Sequence, residues 1–345
     1  MTLRATLRRS SILVSGNMKI GNCELKHGLF LAPMAGFSDR AMRRVCREMG
    51  AEYSVTEMIS AKAVTFGDKK TYSLANIRPD EGPVALQIFG SEPDVMARAA
   101  DILSTRDFGE GFTSARAIDI NMGCPVHKIF SNGEGSALMR DPDLIYRITK
   151  AVKENTDLSV TVKHRTGVDE NHLNAVECAM AAESGGASLI TVHGRTRVQM
   201  YSGTVDRETI KKVKQSVHIP VIANGDILSP EDAISMIRDT GADGIAIGRG
   251  AVGNPFIFSE IIAALEGGEY TPPSLEEKVK VALWQLRLAI EDKGERVAVP
   301  EARKQIASYL HSFKGAASIR ARINQATAYG EIERIFTEAL EDEKI

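Results

Sequence analysis

Residues 220–250 read PVIANGDILSPEDAISMIRDTGADGIAIGRG, and the order of elements inside them decides the fold. A short apolar run, PVIAN, ends in the triplet Asn224-Gly225-Asp226. A helix start follows: Ser229 fits the N-cap, Pro230 the first helical position and Asp232 the third. Gly241 supplies the helix stop. A second apolar run, GIAIG, then closes on Gly248-Arg249. Both runs are apolar throughout, as strands buried on both faces must be. This is one strand–helix–strand unit.

Outward from that unit the pattern repeats between Gly28 and Gly248. Further strands are predicted at GLFLA, EYSVTE, VALQI, AIDI, SVTVK and SLITVH, and a helix at SDRAMRRVCREMG after the first. Eight strand–helix units in a little over two hundred residues predict an α/β fold of the (β/α)8 TIM-barrel class. A doubly wound open sheet is the alternative.

A barrel places its chemistry at the C-terminal ends of its strands. Those ends are Pro33-Met34-Ala35, Glu57, Gln87, Asn121 with Cys124, Lys163, His193, Asn224-Gly225-Asp226 and Gly248-Arg249. Polar residues gather at strand ends anyway, which accounts for Glu57 and Gln87. It accounts less well for a lysine, a histidine and an NGD triplet ending apolar strands. The glycines after the last two strands let backbone N–H groups approach a ligand, and barrels often bind phosphate there. Gly248, Gly250 and Gly253 also spell GxGxxG. No strand with an acidic residue follows about twenty positions on, so a mononucleotide phosphate suits them better than a Rossmann dinucleotide.

Composition narrows the field. The chain has 345 residues, enough for one large domain and a small one, and a formal net charge of −2. That charge excludes a strongly basic body, so any nucleic-acid contact must come from a local patch. Cys23, Cys46, Cys124 and Cys178 lie far apart with no CxxC pair, so neither a metal site nor a disulfide framework is expected. No run of eighteen apolar residues marks a membrane span. Residues 1–17 hold Arg4, Arg8 and Arg9 without the apolar core of a secretory signal. They are expected to be a disordered extension, and the protein is expected in the cytoplasm.

The barrel is expected over 18–265 and a linker over 266–278, EGGEYTPPSLEEK, with Ser274 capping a new helix. A small helical domain should fill 279–345. From Lys293 to Arg322 seven cations (Lys293, Arg296, Arg303, Lys304, Lys314, Arg320, Arg322) face two acids, Glu295 and Glu301. The final fifteen residues reverse the sign. Such a stretch fits an RNA backbone, although a charged helix face is more often simply solvated.

Cys124 stands in NMGCPVHKIFSNGEGSALM, residues 121–139, ahead of a loop carrying Gly133 and Gly135. From the residues alone it is a packing group, a metal ligand or a reactive thiol.

Taken together, LAPMAGFSD, TEM, LQIFG, DINMGCP, VKHRTG, TVHGRT, IANGDI and GRGAVGNP resemble the tRNA-dihydrouridine synthases, especially the bacterial B-type subgroup. The resemblance runs from about Met18 to Phe258 and is weaker in the tail. It implies an FMN-containing barrel with a small helical domain that reduces uridine in tRNA to 5,6-dihydrouridine, with NADPH (or NADH) as reductant. By motif, Pro33, Met34 and Ala35 would line the flavin, and Gln87 and Lys163 would face its pyrimidine edge. His193, Asn224, Gly225, Asp226, Gly248 and Arg249 would hold its phosphate. Cys124 would give the proton to C5 of the uracil while hydride reaches C6; an ordinary thiol pKa of about 8.5 suits a donor, in a site without strong thiolate-stabilising charges. Asn121 and Arg165 are candidates for the base or its phosphate, or for ordering a loop. The tail departs from the family pattern: after Arg303-Lys304, Gln305 and Ser308 stand where histidine and tryptophan are expected.

Three other readings remain. One is a flavin barrel acting on free pyrimidines, similar to dihydroorotate dehydrogenases. Another is a Schiff-base aldolase using Lys163. The third is a tRNA-binding protein without catalysis.

Overall fold

The computed structural model describes residues 18–342. The expected disordered extension, residues 1–17, lies outside them. The strands are β1 (Met18–Ile20), β2 (Cys23–Leu25), β3 (Leu29–Leu31), β4 (Tyr53–Val55), β5 (Ile59–Ser60), β6 (Val84–Phe89), β7 (Ala117–Met122), β8 (Ser159–Arg165), β9 (Leu189–His193), β10 (Val221–Asn224) and β11 (Gly244–Ile247). The chain from β3 to β11 forms one sheet in which every pairing is parallel. β11 pairs with β3 and β4 with β6, so the sheet closes. The predicted strands are the eight staves of this TIM barrel, while the short β5 adds to the end of β6 at Ile88 and Phe89.

The helix after β10 forms as its sequence dictates. Pro230–Thr240 is capped by the Ser229 hydroxyl, which accepts from the Asp232 N–H, and it ends at Gly241 in the left-handed region. Asp39 caps Arg40–Glu48 in the same way. Such a cap is worth about 1 kcal/mol.

One element escapes the strand–helix pattern. β1 and β2 make an antiparallel hairpin with Ile20 opposite Cys23, turning on Gly21-Asn22. Met18, Ile20 and Leu25 bury against Phe30, Tyr53, Ala117 and Leu189 of the barrel strands. The two-residue Gly-Asn link between MKI and CEL was the signal for it.

Beyond β11 the helix Ile257–Glu266 ends at Gly267, and Leu275–Lys293 starts from a reciprocal capping box of Ser274 and Glu277. That helix therefore begins inside the stretch expected as linker. The helices Glu295–Ala307, Ala316–Ile323 and Tyr329–Asp342 complete a bundle with its own core, including Leu286, Val299, Ile306, Phe313 and Phe336. The bundle docks on the barrel where Leu288, Ala289 and Ala298 meet Ala41 and Val45. At the barrel mouth Gly253, with φ +71°, lies so close to Ser308 that a Cβ would sit 2.3 Å from its carbonyl carbon. Only glycine permits that approach.

Candidate active site

At the C-terminal end of the strands a cavity of about 690 Å³ opens under the helical bundle. Every candidate site residue of the sequence lies on its wall, from Pro33, Met34 and Ala35 through Gln87, Asn121, Cys124, Lys163, Arg165 and His193 to Asn224, Gly225, Asp226, Gly248 and Arg249. Glu57 sits to one side, accepting from the Gly36 N–H at 2.5 Å.

Cys124 is half-buried on the loop after β7. Its N–H donates to Asn121 Oδ1 at 2.9 Å, and its carbonyl accepts from the Ser136 N–H and hydroxyl. Gly135, at φ +61°, passes so near that a Cβ there would lie 3.0 Å from Cys124 Cβ and from its carbonyl oxygen. Burial pushes the thiol above its ordinary pKa, against the opposing pull of the Val126 N–H, Arg165 and Lys163. The sequence reading expected a site without strong thiolate-stabilising charges. Two cations are nearby, and the thiol stays protonated because desolvation outweighs them.

Asn121 and Arg165 are engaged in ordering loops. Asn121 donates to Gln87 Oε1 at 2.8 Å, and its Oδ1 also accepts from the Gly123 N–H. Arg165, only 3% exposed, donates to the carbonyls of Gly123, Thr196 and Met200. It thereby ties the Cys124 loop to the loop after β9.

Lys163 donates to Asn224 Oδ1 at 3.1 Å, and Asn224 in turn donates to the Ala246 carbonyl. Burial, with the Arg165 charge, pushes the lysine down to about 8. Burial also drives the His193 imidazole well below its ordinary value, aided by Lys163, Arg165, Arg195 and Arg249, so the ring is neutral.

The corner formed by the loops after β10 and β11 suits an anion. Among the described residues no hydrogen bond engages the backbone N–H groups of Gly225, Asp226, Gly248 or Arg249. Arg249 stands over the Tyr201 ring at 4.7 Å, 53% exposed on its side chain. The Asp226 carboxylate does not belong to the anion's contacts: it pairs with Arg195 and, at 3.2 Å, with Arg249. With its carboxylate engaged, what Asp226 offers an anion is its N–H, which no hydrogen bond uses among the described residues. Apolar walls at Ala32, Pro33, Met34 and Ala246, amides and a lysine at one edge, and free N–H groups with an arginine at the other fit FMN.

Sequence reasoning missed Arg195, Tyr201 and the bundle's share of the wall. Arg195 is 2% exposed and also donates to the carbonyls of Ser202 and Gly203, holding the loop that presents Tyr201. Lys304, Ser308 and His311 of the bundle line the cavity, with Lys304 Nζ 4.9 Å from the Phe37 ring centre. Gln305 joins a buried chain, accepting from Gln285 at 2.6 Å and donating to the Gly36 carbonyl.

The seven-cation reading of the bundle also needs correction. Lys293 pairs with Asp39 and Glu301, Arg303 donates to the Ala326 carbonyl, and Arg322 pairs with Glu338. Two of the seven charges are therefore paired with carboxylates within the protein, while Arg303 keeps its charge with its donors turned to a carbonyl. Lys304 is exposed at the mouth, and among the described residues Arg296 and Arg320 show no ion pair.

The family model "Dihydrouridine synthase (Dus)" matches residues 30–344. The chain is 39% identical over 334 residues to "Probable tRNA-dihydrouridine synthase" of Rickettsia conorii, covering 95% of this chain and 99% of that protein. It is 40% identical over 330 residues to "tRNA-dihydrouridine synthase B" of Shewanella oneidensis, covering 94% of this chain and 100% of that one. Among solved structures, histamine dehydrogenase from Rhizobium sp. 4-9 superposes with TM-score 0.54 at 12% identity, over 81% of this chain and 51% of that one. At that identity the likeness is one of fold alone.

Proposed function

This chain belongs to the dihydrouridine synthase family, in its bacterial B-type subgroup, and from that premise we propose how its site works. The enzyme is an FMN-dependent oxidoreductase that reduces uridine in tRNA to 5,6-dihydrouridine. The relatives give no support to the free-pyrimidine alternative.

Saturating the C5–C6 bond of uracil takes a hydride on one carbon and a proton on the other. FMN, when bound here, would supply the hydride for C6. Cys124 Sγ holds the proton for C5, and the observation that carries this reading is the place of Cys124, half-buried on the cavity wall, where burial raises the thiol's pKa. Asn121 and Arg165 fix the loop that aims it. Lys163 and Gln87, on the same cavity wall, would hold the pyrimidine edge of the flavin, where the lysine's charge would stabilise negative charge. Arg249 and the N–H groups of Gly225, Asp226 and Gly248 take the phosphate, with His193 beside them as a neutral imidazole. Pro33, Met34 and Ala35 wall the ring and exclude water.

The uridine must leave its stack to reach this cavity. The barrel, 18–265, carries the chemistry, and the bundle after the 266–278 segment receives the tRNA, with Lys304 at the join. NADPH is the reductant in this reading. Among the described residues no helix is long and apolar enough to cross a membrane; we assign the enzyme to the cytoplasm, with its tRNA.

The test is direct. Purified protein should be yellow and release FMN, and with NADPH should convert unmodified tRNA to dihydrouridine-containing tRNA, read by nucleoside mass spectrometry. Release of FAD, or reduction of free uracil or orotate in place of tRNA, would sink the reading.

A further inference from the structure

The barrel register sets Gln87 of β6 opposite Asp119 of β7, and Asp119 opposite Thr161 of β8. Asn121 follows two residues after Asp119, on the same face of its strand. All four side chains are at least nine-tenths buried: Gln87 is 1% exposed, Asp119 2%, Thr161 3% and Asn121 9%. Asp119 accepts from the Thr161 hydroxyl at 2.5 Å and from Gln87 Nε2 at 2.7 Å. Gln87 Oε1 accepts from Asn121 Nδ2 at 2.8 Å, and Asn121 Oδ1 accepts from the Cys124 N–H at 2.9 Å.

An amide has the same shape either way round, so only its partners decide which end points where. An oxygen of Asp119 facing Gln87 demands the NH2 end of that amide. The Gln87 oxygen then faces Asn121 and demands its NH2 end, which leaves the Asn121 oxygen for the Cys124 loop. We propose that Asp119 is a positioning residue for Cys124, fixing the direction of both amides and through them the seat of the thiol. This rests on the reading of Cys124 as proton donor. It gives a role to a buried carboxyl group whose burial without partners would be costly.

The experiment follows alkylation of Cys124 by iodoacetamide at pH 8, read by peptide mass spectrometry on the full chain as purified, alongside tRNA turnover. Asp119→Leu removes the acceptor. The loosened thiol should alkylate faster, by roughly tenfold for each unit its pKa falls, and kcat should drop while KM for tRNA holds. Asp119→Asn keeps an oxygen for Gln87 and should match the parent in both.

A second pair decides the matter should Asp119→Leu fail to fold. Gln87→Glu sets two carboxyl groups face to face and should free the thiol. In Gln87→Glu/Asp119→Asn the new asparagine donates to the new glutamate, which still accepts from Asn121, so alkylation should return to the parent rate. Unchanged alkylation in Asp119→Leu or Gln87→Glu, or no restoration in the double variant, overturns the proposal. A parent without activity on tRNA would instead fail the functional reading, and the alkylation rates would still decide the role of Asp119.

Discussion

The carbonyl oxygen of Cys124 accepts two hydrogen bonds from Ser136, at 2.8 Å from its hydroxyl and 3.1 Å from its N–H. The eleven residues between them, with the short helix His127–Ser131, are thereby folded back onto the thiol's own peptide unit. Ser136→Ala keeps the backbone bond and loses the hydroxyl, so it should cost about 1 kcal/mol. Differential scanning calorimetry should show a melting point lower by about 2 °C, and Cys124 should alkylate somewhat faster. No change in either would mean that the backbone bond alone seats the loop.

Gly133 and Gly135 have similar left-handed backbones, φ +78° and φ +61°, but different neighbours. A Cβ at Gly133 meets only Ser91 at 4.0 Å, whereas one at Gly135 meets Cys124 and Ile129 at 3.0 Å. Both alanine variants should lose about 1–2 kcal/mol to backbone strain in urea unfolding. Gly135→Ala alone should also slow turnover on tRNA, because it displaces Cys124. Equal turnover in the two would separate the thiol from its glycine neighbour.

The barrel was legible because its strands are apolar on both faces and end in groups that apolar runs do not otherwise tolerate. Asn224-Gly225-Asp226 and Gly248-Arg249 could be read as one corner because the strand count put them side by side. What the sequence hid were pairings between distant residues. Arg195 stands in TVHGRT with nothing nearby in the sequence to pair it, and only the fold sets it on Asp226. The charges from Lys293 to Arg322 looked free because their partners Asp39 and Glu338 lie 254 and 16 positions away. Asp119, in the middle of an apolar strand, gave a signal that went unread: a carboxyl there needs buried partners.

Lys163 should set stability and function against each other. In flavin-free protein its folded pKa is about 8, below the ordinary 10.5, so the charged form is better accommodated in the unfolded chain. This group therefore costs stability below pH 8, and the cost fades as pH rises from about 8 towards 10.5. Lys163→Met should raise the melting point of flavin-free protein at pH 7, with a gain that shrinks towards pH 10. The same variant should retain FMN less well. A gain independent of pH would place the lysine in solvent.

RNA binding should depend on the cations that the fold leaves unspent. Lys304→Glu and Arg320→Glu should weaken tRNA binding and reduce its salt dependence by about one unit of slope for each phosphate no longer neutralised. Arg322→Gln/Glu338→Gln should leave tRNA affinity unchanged, since it removes a neutral pair and keeps the net charge. Filter binding over a salt series would show this. Equal losses in all three variants would return the whole stretch to the RNA surface.

The central claim, that Cys124 donates the proton, is tested most directly by stopped-flow absorbance at the flavin band of Cys124→Ala. Bleaching by NADPH should proceed near the parent rate. Return of colour on adding tRNA should slow by about two to four orders of magnitude, the usual worth of general acid catalysis. Cys124→Ser should not fully restore it, because a hydroxyl is a far weaker acid than a thiol with an ordinary pKa of about 8.5. Recovery on tRNA as fast in Cys124→Ala as in the parent would contradict the account and make Cys124 a packing residue.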